Sequence, residues 1–189
     1  MTAFEGKIIG QAVSAEQSHA DIHAFISYYN EYFPRVFNYI YYRMGDSVVS
    51  DDLTAIVFER ALKKFKNFSP HKGSFGAWLF AIARNVVNAH LKSQGQHACL
   101  SIDDLHEHPG NTILPEEALI KGEIHNELLI ALKQLSERER DLLGLKFTAC
   151  ITNRQIASMT SISESNVGII LYRAIQKLRS QLVPQEGEK

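Results

Sequence analysis

From residue 20 onward apolar residues recur at helical spacing. Ile22, Phe25, Ile26, Tyr29, Phe33, Val36, Phe37, Ile40 and Met44 fall on one side of a 3.6-residue repeat. Pro34 lies inside this run, where a missing N–H and a ring clash predict a kink or a division into two helices. Gly45-Asp46-Ser47 ends it. A second helix follows, with Leu53, Ile56, Val57, Ala61 and Phe65 inward and Asp51 and Asp52 in its first turn, where the helix dipole favours acids. Asn67 to Gly73 is a loop around Ser69-Pro70. A third helix, capped by Ser74 and running to about Gln94, buries a stripe of Phe75, Trp78, Leu79, Ile82, Ala83 and Val86. Arg84, Asn85, Asn88 and Lys92 share another side of it, at spacing i, i+1, i+4, i+8, and face solvent.

The periodicity lapses over residues 95–115, which hold Gly95, Pro109, Gly110, Pro115 and three histidines, and resumes near 116. Ser136-Glu137-Arg138-Glu139 is a capping box that opens a helix carrying Leu142, Leu143, Leu145 and Phe147. Thr152-Asn153-Arg154-Gln155 is a second such box, before Ile156, Ala157 and Met159. Ser163 caps a longer helix that buries Val167, Ile170, Leu171, Ala174 and Leu178. A short helix, a tight turn and a longer helix predict a helix-turn-helix, with an αα-hairpin used only for packing as the plain alternative. The exposed side of the last helix carries Glu164, Ser165, Gly168 and Tyr172, flanked by Asn166, Arg173, Lys177 and Arg179.

Strand signals are sparse, so the expected fold is all-α: two small helical domains joined by a flexible linker. The pattern sets an N-terminal extension at 1–19, loose and weakly periodic, a first domain at 20–95 and a connector at 96–119. A second domain follows at 120–183, then a tail at 184–189.

Charge sharpens this division. The formal net charge of −1 argues against a nucleic-acid partner, but its distribution reverses the argument. Residues 28–95 hold nine Lys or Arg and five Asp or Glu, a balance of +4; residues 128–183 hold eight and four, again +4. Residues 96–127 hold one base and seven acids, a balance of −6. Two basic blocks flank an acidic connector. Arginine, asparagine and lysine on one helix face can meet phosphates and base edges. The two cysteines, Cys99 and Cys150, have no ligand spacing and point to a reducing compartment. No signal peptide or membrane-length apolar run is evident, so a soluble, cytoplasmic protein with no membrane insertion is expected.

Taken together, the two blocks resemble the bacterial sigma-70 family, specifically its extracytoplasmic-function (group 4) sigma factors. The first block matches region 2 through Tyr32-Phe33-Pro34-Arg35-Val36-Phe37, Asp51-Asp52-Leu53 with Val57-Phe58, Gly73-Ser74-Phe75, Ala77-Trp78-Leu79 and Ile82-Ala83-Arg84-Asn85. The second matches region 4 through Leu135 to Arg140, Gln155-Ile156-Ala157, Ser163 to Val167, and Tyr172-Arg173-Ala174 with Lys177-Leu178-Arg179.

The resemblance implies a factor that binds core RNA polymerase, through the β′ clamp and β flap, and promoter DNA, and that an anti-sigma factor restrains. It implies that Asp51, Asp52, Leu53 and Phe58 meet the polymerase. Phe68, His71 and Lys72 would hold a flipped base of the −10 element, and Arg84, Asn85, Asn88 and Lys92 would contact the same element. Arg154, Ser163, Glu164, Ser165, Asn166, Tyr172, Arg173 and Lys177 would serve the −35 element. Trp78 is expected in the core rather than as a melting wedge. Such a protein takes no cofactor, metal or catalytic residue. It would sit on the nucleoid when polymerase-bound, or near the membrane when an anti-sigma factor holds it there.

The chain departs from the family pattern in three places. Ala55 and Ile56 stand where glutamine and glutamate are common. Gly168-Ile169-Ile170 replaces a basic run, which lowers the expected phosphate contribution. Asn88 stands where aspartate is common. Two other readings remain open on sequence. One is a helix-turn-helix regulator that does not engage polymerase; the other is a metal-dependent nuclease using Asp51, Asp52 and Glu59.

Overall fold

The computed structural model describes residues 3–94 and 126–182, and for residues 3–21 and Lys72 the backbone alone. The expected connector, the tail, the linker histidines and Cys99 lie outside the described residues. Among the described residues all regular structure is helical.

Helix α1, Ala3–Met44, is continuous through Pro34 and reaches back through the segment expected to be loose. The division expected at Pro34 is therefore corrected. Pro34 is exposed, and so is Asn30, whose carbonyl loses its helical donor and can turn to water. The opposite face carries the helix past Pro34, because Phe25, Val36, Tyr39 and Ile40 are all buried in one core. Extending an existing helix costs little per residue, and residues 3–21 are rich in Ala, Glu and Gln and lack proline.

Gly45, at φ +72°, ends α1 in a conformation that a side chain disfavours. Asp46 then caps α2, Ser47–Lys64, accepting from the Val49 N–H at 3.0 Å. The cap lies further upstream than the pattern suggests, so Asp51 and Asp52 fall in the second turn of α2, not its first. Two short 3-10 turns, Phe65–Asn67 and Pro70–Lys72, lead to α3, Phe75–Gln94. Val57 and Ala61 of α2 meet Leu79, Phe80, Ala83 and Val87 of α3 in a core closed to solvent. Each fully buried large side chain there contributes about 1.5–3 kcal/mol.

In the second half, residues 126–133 form α4, followed by α5, Glu137–Phe147, α6, Asn153–Thr160, and α7, Glu164–Leu182. Both predicted capping boxes are formed, at Ser136 with Glu139 and at Thr152 with Gln155. Ser161 adopts the left-handed conformation after α6, and Ser163 Oγ accepts from the Asn166 N–H at 3.2 Å to start α7. Leu142, Leu143 and Leu145 of α5 are buried, while Phe147 is exposed.

The two halves share one apolar core. Leu132, Leu135, Leu142 and Leu145 belong to the same buried cluster as Tyr39 and Phe80, and Leu129 packs on Phe37 and Tyr41. Gly144 of α5 makes the closest approach: a methyl group there would stand 2.7 Å from Tyr39 Cδ2.

Candidate functional site

The first surface is the polar side of α3. Helix geometry gathers Arg84, Asn85, Asn88 and Lys92 as expected, but only Asn85 and Lys92 are exposed. Arg84 Nε donates to Asp141 Oδ2 of α5 at 2.7 Å, and one of its terminal nitrogens donates to the Met159 carbonyl near the end of α6 at 3.2 Å. Asn88 Oδ1 accepts from Arg43 at 3.0 Å. The expectation that this side faces solvent is corrected for Arg84, which the second half of the chain engages, and for Asn88, which Arg43 of α1 engages.

Asp141 anchors this contact. Its side chain is only 7% exposed. Its other oxygen accepts from the Tyr39 hydroxyl at 2.7 Å and lies 3.4 Å from Arg43. Burial pushes the Tyr39 phenol far above its usual range, so it stays a donor. Arg35 reaches the carbonyls of Thr148 and Ala149 at 3.1 and 2.6 Å, and Arg140 reaches the carbonyl of Arg43 at 3.3 Å. Sequence reasoning missed Tyr39, Arg43 and Asp141. A signal exists: Arg43 shares the apolar stripe of Val36 and Ile40, and Asp141 that of Leu142 and Leu145. A charge inside an apolar stripe needs a buried partner.

The loop before α3 is an aromatic cluster. Phe68 stacks on Phe65 at 6.3 Å between ring centroids, meets Phe75 edge-on at 5.4 Å and tilts against Trp78 at 5.3 Å. Trp78 is half-buried and packs on Phe75 as well. Phe68 thus forms the floor of this region, while His71 is exposed; the side chain of Lys72 lies outside the described set.

On α2, Asp51 and Asp52 are exposed, but Leu53 and Phe58 are each only 5% exposed. Phe58 lies against Tyr29 and Phe33, at 4.7 and 5.9 Å. Leu53 and Phe58 therefore support the helix from beneath and offer almost no surface. Glu59 is paired with Lys63, and among the described residues no group of three or more His, Cys, Asp or Glu is placed to hold a metal ion.

The last surface is α7. Glu164, Ser165, Asn166, Tyr172 and Arg173 are exposed along it, as is Arg154 at the start of α6. Tyr172 is 65% exposed. Lys177 donates to Glu139 Oε1 at 2.7 Å, which ties the last helix to the cap of α5. That hydrogen bond is the first reason that the Glu139 carboxyl titrates below its usual range. Ser163 is exposed, but its hydroxyl already caps the helix.

Both halves of the chain match known proteins. Residues 28–97 match the family profile for Sigma-70 region 2, and residues 131–180 match that for Sigma-70, region 4. The ECF RNA polymerase sigma factor BldN of Streptomyces coelicolor is 30% identical over 173 residues, 92% of this chain but 64% of BldN. This chain therefore spans just under two thirds of that relative's length. The ECF RNA polymerase sigma factor SigX of Bacillus subtilis is 25% identical over 82% of this chain and 81% of its own.

Two solved structures share the fold. One is the sigma factor RpoE in complex with the anti-sigma factor NepR from Bartonella quintana. It has a TM-score of 0.69 at 16% identity, over 86% of this chain and 99% of that one. The other is CnrH with the cytosolic domain of CnrY, at 0.61 and 17%, over 90% and 95%. No described helix is long and apolar enough to cross a membrane. With regions 2 and 4 both matched, in family order, this chain belongs to the sigma-70 family.

Proposed function

We propose that this protein is an alternative sigma factor that binds core RNA polymerase and directs it to a set of promoters. It does so in the cytoplasm, performs no bond chemistry of its own and is restrained by an anti-sigma factor. The observation that carries the reading is the pairing of a region 2 bundle with a region 4 helix-turn-helix in one chain.

Asp51 and Asp52 supply the exposed acids on α2 for a basic clamp surface. Leu53 and Phe58 support them from the core. The loop from Asn67 to Ser74 offers His71 and Lys72 to an extruded base, with Phe68 as the apolar floor; extrusion costs a few kcal/mol that such contacts offset. Arg84, Asn85, Asn88 and Lys92 are the −10 strand contacts once α3 is uncovered. On α7, Glu164, Ser165, Asn166 and Tyr172 face the −35 bases, while Arg154, Arg173 and Lys177 hold phosphates and Ser163 fixes the helix start.

The test is reconstituted transcription with core polymerase on a library of genomic fragments. The expected result is initiation that needs the protein and starts downstream of a shared two-part motif. Core polymerase that neither binds the protein nor initiates with it would overturn the reading. DNA binding that persists in that case would instead favour a regulator acting without polymerase.

A further inference from the structure

A cleft of about 500 Å³ opens where the ends of α1 and α3 meet the start of α5 and the end of α6, within the roughly 300–1,000 Å³ that holds small ligands. We propose that this cleft is a binding site for a small molecule that carries two or more linked phosphates, as inorganic pyrophosphate and the nucleoside triphosphates do.

Charge carries the proposal. Arg43, Arg84, Lys92 and Arg138 line the cleft against Glu137 and Asp141, a net of +2. Asp141 leaves little charge to repel an anion, because its two oxygens are taken up by Tyr39, Arg43 and Arg84. Glu137 is exposed, and water screens it. Lys92 and Arg138 are exposed as well, and neither has a hydrogen bond or ion pair among the described residues. Like charges brought to one cleft repel unless an anion lies between them.

Donors are also in surplus. Arg84 spends its Nε on Asp141 and one terminal nitrogen on the Met159 carbonyl, which leaves the other terminal nitrogen without a partner among the described residues. Asn88 is held through its oxygen alone, so its amide N–H groups remain to donate. A guanidinium fork fits phosphate oxygens, and Lys92 adds a point charge. Lys92 stands on α3 and Arg138 on α5, so the cleft asks for negative charge at two points. Linked phosphates supply that and orthophosphate does not. Leu91, half-buried beside Lys92, offers the apolar contact that a base would use.

Arg84 and Lys92 are groups assigned above to the −10 strand, so an occupied cleft competes with promoter DNA for them. That consequence rests on the function proposed above; the binding does not.

The test is isothermal titration calorimetry on the full-length protein, at fixed ionic strength and without magnesium. The probes are orthophosphate, pyrophosphate, tripolyphosphate and ATP. Pyrophosphate should bind at one site per chain, about tenfold more tightly than orthophosphate, as expected for one added charged contact. Lys92→Ala and Arg138→Ala should each weaken it about tenfold for the same reason. Arg60→Ala removes a cation from α2, outside the cleft, and should change nothing. All three side chains are exposed, so the fold is not at risk, and circular dichroism checks that it is kept. ATP that matches tripolyphosphate assigns the site to the phosphate chain alone; tighter binding of ATP assigns it to a nucleotide. Either result upholds the site.

Pyrophosphate that binds no better than orthophosphate would overturn the proposal. So would an equal loss in Arg60→Ala, which would mean a diffuse field and no site. Binding that appears only after residues 96–115 are replaced by Gly and Ser would mean that the chain's own acids fill the cleft, and would overturn it too. Arg138→Ala should support initiation by core polymerase as the wild type does. Failure of both to initiate would sink the proposed function and leave the calorimetry standing, whereas normal initiation by a protein that ignores pyrophosphate would sink only the site.

Discussion

Gly168 illustrates what one residue decides on the recognition helix. It stands in the second turn of α7, half-buried, where the family pattern has a basic run that would meet the phosphate backbone. Space is available: a Cβ there would lie 3.9 Å from Asn153 Nδ2, an ordinary contact. Glycine inside a helix costs about 0.5–1 kcal/mol relative to alanine. Gly168→Ala is therefore expected to raise stability by about that amount in a urea melt. Gly168→Lys should stabilise less but steepen the salt dependence of duplex binding by about one unit of the log–log slope, the signature of one added phosphate contact. An unchanged slope in a salt titration would mean that α7 meets DNA through another face. The same scale shows where residue types mislead. Leu53, Phe58 and Phe68 match family positions for partners, yet their side chains pack inward. Matching a motif places a residue on the correct element; which way its side chain turns is set by packing.

At the scale of the element, the caps carry the most transferable information. The α5 box separates two contributions that one acid makes. Ser136→Ala should cost about 1 kcal/mol, the usual value for a lost N-cap. Glu139→Gln keeps an oxygen for Ser136, much as Gln155 does for Thr152 in α6, and gives up the ion-paired hydrogen bond from Lys177, because the amide nitrogen cannot accept it. Lys177 is 53% exposed, so water screens that pair and the loss should be about 0.5 kcal/mol.

The pH dependence follows from the sign. The carboxyl in the folded chain titrates below its ordinary 4.5, chiefly because of the Lys177 hydrogen bond. Its contribution is complete above that ordinary value and is lost as pH falls through the lowered one. The stability gap between wild type and Glu139→Gln should be constant at neutral pH and vanish in acid, as followed by denaturant melts from pH 7 to pH 3. A gap that persists at pH 3 would place the difference in packing.

Helix positions and caps were legible in the sequence because they are local: Ser74, Ser136, Thr152 and Ser163 all cap as the spacing indicates. The continuity of α1 was not legible. A proline's effect depends on whether the orphaned carbonyl faces water, and that is settled by tertiary packing. The cover over α3 was not legible either. It depends on contacts between residues 57 positions apart, and periodicity carries no information about them.

At the scale of the whole molecule, reach becomes the constraint. On the proposed function, regions 2 and 4 must hold elements about 85 Å apart. Domains of this size have radii of about 10–12 Å and supply roughly 25 Å of that span between them. The chain between them must supply the remaining ~60 Å. Residues 95–125 are thirty-one in number and can extend to roughly 100 Å at about 3.3–3.6 Å each, so the connection suffices with slack. Deleting residues 96–115 leaves eleven, which reach about 40 Å at most.

That deletion should leave the protein able to bind core polymerase, because region 2 is intact. It should abolish the dependence of initiation on the −35 element, read as equal transcript yield from promoters with and without it. Length and charge are separable. Replacing residues 96–115 by twenty Gly and Ser residues removes the acids Asp103, Asp104 and Glu107 but keeps the reach, so −35 dependence should return. If the Gly-Ser version fails like the deletion, the acids act directly in initiation and span is not the limit. If the deletion itself retains −35 dependence, the two halves engage DNA closer together than the spacing of the elements requires, and the span between the domains is not what limits recognition.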